Sequence, residues 1–269
     1  MLSASPLIWT KIVPCEKAIQ AGLRFGDKGT HTSRTIMLSE LSDLLSVMPE
    51  SASREDYASA IINDNILGKQ TVSTRRLTNQ RLGELYGLDD NISIFRVLRR
   101  LWQVDEIGRP LLALLCALAR DPLLRATAHT ILVLEAGEEL TRSSVLESIK
   151  HTTGDRLNES IIDKVARNAG SSWTQSGHLE GRVRKIREYV EPTPGVVSFV
   201  LWLGSLYSLS GEELLTTPWV DVLDCSPQQL LDLVLRAKQW RLIQAQVGGG
   251  IIEIDPTEVD PEWRCCSIG

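Results

Sequence analysis

Residues 68 to 87 read GKQTVSTRRLTNQRLGELYG. The first fourteen hold four cations (Lys69, Arg75, Arg76, Arg81) and no acid, in a chain whose net charge is −5. Arg, Asn and Gln are the side chains that bond base edges bidentately; Lys, Ser and Thr suit phosphate oxygens. At helical spacing, Lys69, Ser73, Arg76 and Gln80 fall on one side, with Asn79 beside them, and Leu77, Leu82 and Leu85 lie roughly opposite. Arg75 and Arg81 flank the apolar side, where they can lie across a nucleic-acid backbone. The chemistry indicated is contact with duplex DNA, which salt weakens because each neutralised phosphate releases counterions. The competing reading is a solvated helix face, the usual fate of a charge run.

Two later segments carry related strips. Steps of four, four and three residues give Arg156, Ser160, Lys164 and Arg167 on one predicted helix, and RVRKIR puts Arg182, Arg184, Lys185 and Arg187 on a predicted hairpin. The third strip is Gln228, Asp232, Arg236 and Gln239. Asp232 repels phosphate, so this last strip suits a protein partner.

No catalytic signature accompanies them. FGDKGTHTSR has Gly26, Lys28 and Gly29 without the spacing of a phosphate loop, and neither G-x-S-x-G nor H-E-x-x-H occurs. Glu253 and Asp255 alternate on a predicted strand and could hold a metal, but the E-x-K of a nuclease is missing and a solvated strand face accounts for them better. His31, His129, His151 and His178 are scattered, which gives zinc little support. The five cysteines (Cys15, Cys116, Cys225, Cys265, Cys266) form no C-x-x-C, which fits a reducing compartment; Cys265–Cys266 reads as an exposed end. The tryptophans sit mostly in apolar patterns and read as core anchors. The expectation is a protein that is not an enzyme, with no metal, cofactor or small-molecule substrate.

Helices must position these strips. Apolar spacing predicts one helix around Met37–Met48, stopped by Pro49, and another after Ser53 as cap. The 68–87 helix ends near Gly87. ISIFRVLRRLW has one apolar face, and GRPLLALLCALARDP is apolar nearly all round, so it should be central and buried. Asp121 caps the next segment, with Pro122 at its first position. Asp155 is predicted to cap a helix that buries Ile161, Ile162, Val165 and Ala169 and ends at Gly170, before a hairpin beginning with SSWTQ. After EPTPG, residues 196 to 209 form a second apolar helix, Ser210 with Glu213 and Ser226 with Gln229 read as capping boxes, and RLIQAQVGGGIIEID reads as strand, glycine turn, strand.

Residues 110–190 and 195–256 therefore share one order: apolar helix, short helix, well-capped helix, hairpin. That is the order of a winged helix. The fold class expected is mainly α, multi-helical, with tandem helix-turn-helix or winged-helix-like units and short β-hairpin wings. The expected domains are 1–105, 106–191 and 192–269. Hydrophobic content of 43% and charged content of 23% suit a soluble protein. No secretory leader is apparent, and the apolar run 196–209 is shorter than the roughly 20 residues that cross a bilayer. Cytoplasm is the expected location, with no membrane partner.

GTHTSRTIMLSELSDLL followed by YASAIINDNILGKQTVSTRRLTNQRLGEL resembles the small helical accessory proteins of bacterial BREX phage-exclusion systems, the BrxA family. The resemblance covers roughly residues 22 to 86. It rests on a Ser-Arg-hydrophobic helix start, the step at Asn65, Leu67 and Lys69, and the entry to the next helix at Ser73, Thr74 and Arg76. It implies a mainly helical protein that binds double-stranded DNA without enzymatic activity and works with other defence-system proteins. The matching positions are Arg34, Lys69, Ser73, Thr74 and Arg76. After residue 90 the chain departs from the pattern. The alternative is a protein–protein adaptor that uses winged-helix domains to dock a larger partner.

Overall fold

The computed structural model describes residues 9, 12–249 and 251–262. Trp263 and the Cys265–Cys266 pair lie outside the described residues. The protein is mainly helical, with two small antiparallel strand pairs. Among the described residues no helix is long and apolar enough to cross a membrane.

After a short α1 (Glu16–Gln20), α2 (Leu38–Val47) buries Leu41, Leu44 and Leu45 and stops before Pro49. The chain enters α3 (Arg54–Ile62) through a capping box: Asp56 N–H donates to Ser53 Oγ, and Ser53 N–H donates to the Asp56 carboxylate at 2.8 Å. Those bonds hold the Asp56 carboxyl below its ordinary pKa. Asn65 sits at φ 54 and accepts Lys69 N–H, which closes the turn into α4 (Val72–Tyr86). Thr71 caps α4, and Gly87 at φ 97 ends it, a conformation that favours glycine.

α5 (Ser93–Val104) presents Ile94, Val97, Leu98, Leu101 and Trp102 to the core. α6 (Arg109–Arg120) is buried from Leu111 to Arg120 and packs on α4 and α5, as its all-round apolarity requires. Asp121 caps α7 (Pro122–Ala126) by accepting the Leu123 and Leu124 N–H groups, and α8 (Ala128–Leu132) follows.

Two units come next, each ending in a long helix followed by a hairpin; the first differs from its predicted order, because a twelve-residue helix, α9 (Arg142–Thr153), stands between the short helices α7 and α8 and the helix before the hairpin. In the first, α9 and α10 (Glu159–Gln175) pack on each other and lead to β1 (Leu179–Glu180) and β2 (Ile186–Arg187), while Glu139 bridges to Ile186. The second starts with the buried α11 (Pro194–Ser205). It continues through α12 (Pro218–Asp221) and α13 (Pro227–Gln239) to β3 (Gln244–Gly248) and β4 (Ile251–Asp255), paired from Gln244↔Asp255 to Gly248↔Ile251. Here the 3-10 turn Gly211–Thr216 packs on β4. The Ser226–Gln229 and Ser210–Glu213 capping boxes both form.

The first hairpin differs from its prediction. α10 is capped by Asn158, not Asp155, and runs through Gly170 to Gln175, so SSWTQ is helical. Trp173 lies four residues beyond Ala169, on the same buried side, and its Nε1–H donates to Thr127 Oγ1 at 3.0 Å. Burying that ring outweighs the roughly 1 kcal/mol by which glycine disfavours a helix. The strands are correspondingly short.

One cluster of buried side chains runs from Ile12 to Val259 and draws on all three predicted segments. A smaller one (Leu123, Val145, Ile149, Ile162, Val165, Ala166) lies under α9 and α10. The two units are joined by polar groups as well. Arg187, fully buried, pairs through Nη2 with Asp224 and donates through Nη1 to His178 O. His178 Nε2–H donates to Val222 O at 2.9 Å, and burial pushes its pKa down to about 3, so it stays neutral.

Candidate nucleic-acid interface

The α4 ridge is largely occupied by its own protein. Lys69 Nζ pairs with Glu40 at 3.0 Å. Arg75 donates to the carbonyls of Ile62 and Lys69, and so closes the turn before α4. Arg81 pairs with Glu84 at 2.7 Å, and Gln80 donates to the other oxygen of the same carboxylate at 2.9 Å. Bonds from Arg81, Thr30 and Gln80 hold the Glu84 carboxyl below its ordinary pKa against the cost of burial, so it is an anion within the ridge. Thr74 bonds Thr71 as part of the cap. Arg34 is half-buried, ahead of α2, and donates to Ser33 O at 3.1 Å. Ser73 and Arg76 are exposed and make no side-chain hydrogen bond or ion pair among the described residues. Arg76 is therefore the one candidate cation on α4 left for a ligand.

α10 and the first hairpin form a different edge. Lys164 is exposed and unpaired among the described residues. Arg167, one turn on, shares Asp163 with Arg142, at 3.4 Å for its own contact. The Arg142 hydrogen bond, ahead of the weaker pull of Arg167, lowers the Asp163 pKa. Because α10 continues past Gly170, its outer strip does too: Ser160, Lys164, Arg167, Ser171 and Thr174 follow in helical steps. The last two were invisible to a reading that ended the helix early. Thr174 Oγ1 accepts Lys185 Nζ–H at 2.8 Å, and the Lys185 stem lies against Gly170, within 3.2 Å of where a Cβ would stand. Burial lowers the Lys185 pKa. Arg182 is exposed and unpaired among the described residues; Arg184 pairs with Glu139 at 2.7 Å, which raises its pKa.

Two members of the predicted strip belong elsewhere. Arg156 ends a 3-10 turn before α10 and pairs with Asp27. Arg187 faces inward. The opposite side of α10 is taken by the N-terminal segment: Asn168 donates to His31 O at 2.7 Å, and Gln175 accepts Leu38 N–H at 3.1 Å.

The same segment brings together His31, Asp121 and Ser172, which sequence spacing does not connect. His31 Nδ1 is 2.7 Å from Asp121 Oδ2, and Nε2 is 2.8 Å from Ser172 Oγ. The order acid, imidazole, hydroxyl is that of a hydrolytic triad. The setting is not, because all three groups are buried and Ser172 Oγ also accepts Ile36 N–H at 3.0 Å. A substrate has no exposed hydroxyl to meet. These contacts tie residues 30–37 to α10. Among the described residues no group of His, Cys, Asp and Glu could hold a metal ion.

The second unit exposes Gln228, Asp232, Arg236 and Gln239 on α13, with Gln228 donating to Asp232. Leu235 lies among them and Trp240 just after α13, 39% and 45% exposed; on the hairpin Val247 is 36% exposed and Glu253 is exposed on β4. Trp240 departs from the core-anchor pattern that Trp102, Trp173, Trp202 and Trp219 follow. No known family model matches the chain, and no curated protein does.

Proposed function

We propose that the protein binds duplex DNA without catalysing a reaction, and that α10 with its hairpin makes the main contact. What carries this reading is two exposed cations without a partner among the described residues, Lys164 on the outer strip of α10 and Arg182 on the hairpin that follows it, with the exposed Arg167 one turn beyond Lys164. A helix fits a major groove about 12 Å wide, and such cations neutralise phosphates at its rims. The acidic balance of the whole chain does not oppose this, since local potential steers a polyanion. Following the family resemblance, the protein serves a bacterial phage-defence system beside other proteins of that system.

A second role belongs to the second unit. The exposed Leu235 and Trp240, on and just after the helix that carries Asp232, favour docking of a protein there over phosphate contact.

The test is anisotropy of a labelled duplex at two salt concentrations. Wild type should bind and release with salt, and K164E/R167E/R182E should lose most of the affinity. Absence of salt-sensitive binding by wild type sinks DNA binding; undiminished binding by the triple variant sinks the assignment to α10.

A further inference from the structure

Val183 stands at the tip of the first hairpin, 93% exposed, between Arg182 and Arg184. Packing does not account for it, because almost none of its surface is covered. The tip is held in place nonetheless. Gly181 has φ +96, and a Cβ there would stand 2.1 Å from Arg184 O, so glycine is what lets the chain turn back this sharply. Lys185 Nζ donates to both Thr174 Oγ1 and Gly181 O, which fastens the base of the turn to the C-terminal half of α10.

We infer that the Arg182–Val183–Arg184 tip enters the minor groove of duplex DNA and confers a preference for A/T-rich steps. The inference rests on the DNA-binding reading above. Its geometry follows from α10. Lys164 and Thr174 are about 15 Å apart along the helix axis at 1.5 Å per residue. The base of the hairpin is fastened at the Thr174 end of that span, so with Lys164 in a major groove about 12 Å wide the tip would stand beyond the groove's edge, within reach of the next minor groove. That groove is about 6 Å wide, too narrow for a helix but wide enough for a single bend of chain. Narrow A/T minor grooves concentrate negative potential and attract arginine, and an apolar side chain between arginines is the kind that wedges between base steps. Arg184 is free to turn toward a ligand because its pair with Glu139 is solvent-exposed and weakly held.

The experiment compares an A/T-centred duplex with a G/C duplex of equal length, for wild type, Val183→Gly and Arg182→Ala/Arg184→Ala. Wild type should bind the A/T duplex about tenfold tighter, the scale of one base-step discrimination. Netropsin, which fills A/T minor grooves, should displace it. Val183→Gly should narrow the difference between the two affinities, and Arg182→Ala/Arg184→Ala should abolish it. Equal wild-type binding to both duplexes, unaffected by netropsin, overturns tip insertion and leaves DNA binding standing; so does an Arg182→Ala/Arg184→Ala variant that keeps the preference. Failure of wild type to bind either duplex in low salt overturns the DNA reading, and this inference with it.

Discussion

The two hairpin units share a closing helix and hairpin but not a surface. In the first, the helix before the hairpin offers Lys164 and Arg167, and the hairpin is two short strands closed by a cationic tip. In the second, α13 offers Gln228, Asp232, Arg236 and Gln239, and the hairpin is a five-pair ladder bearing Glu253. That shared arrangement comes from the buried residues: Ile162, Val165, Ala169 and Trp173 in one, Leu230, Leu233, Val234 and Ala237 in the other. On the proposed reading, the ligand is set by the exposed residues between them. One architecture can therefore present one face to DNA and another to protein, and fold alone does not decide which.

The contrast can be broken most forcefully at the junction. Arg187→Ala leaves Asp224 without its partner at a largely buried site and should cost about 3–5 kcal/mol in urea unfolding. A loss below about 1 kcal/mol would mean that the ion pair does not hold the first hairpin to the second unit.

The next effect is in pH. His178 has its pKa depressed to about 3 in the folded protein, so the unfolded chain takes up the proton first. Its contribution is therefore complete above the unfolded value near 6.5 and is lost as pH falls toward 3, at about 1.4 kcal/mol per pH unit. Unfolding followed from pH 7 to 4.5 should show this slope, and His178→Asn should flatten it. An unchanged slope in the variant assigns the effect elsewhere.

Smaller effects separate the caps. Ser226→Ala removes a reciprocal capping box and Asn158→Ala a single side-chain bond; each should cost about 1 kcal/mol, the first more than the second. Equal Tm values for both variants would remove this distinction between the units. Smallest of all, Arg76→Glu should lower the salt slope of DNA binding by no more than about one phosphate, because the other α4 cations are already engaged. A collapse of binding in this variant would restore α4 as the main contact.

What the sequence made legible was local. Ser53, Asp121, Ser226 and Gly87 end or begin helices through groups within a few residues, and α6 and α11 are buried because they are apolar on every side. The end of α10 was not legible, since it depends on where Trp173 finds space, next to Thr127. Nor was the fate of most cations. Glu40 lies 29 residues from Lys69, Asp27 is 129 from Arg156, and Glu139 is 45 from Arg184. Arg81 and Arg167 are exceptions: Glu84 stands one turn after the first, just past the acid-free run, and Asp163 one turn before the second.

The most direct test is the slope of log affinity against log salt for one duplex, measured for wild type, K164E/R167E/R182E and R236E. The account predicts a slope shallower by about three for the first variant and unchanged for the second. An unchanged slope for the α10 variant, or an equal fall for the α13 variant, contradicts it.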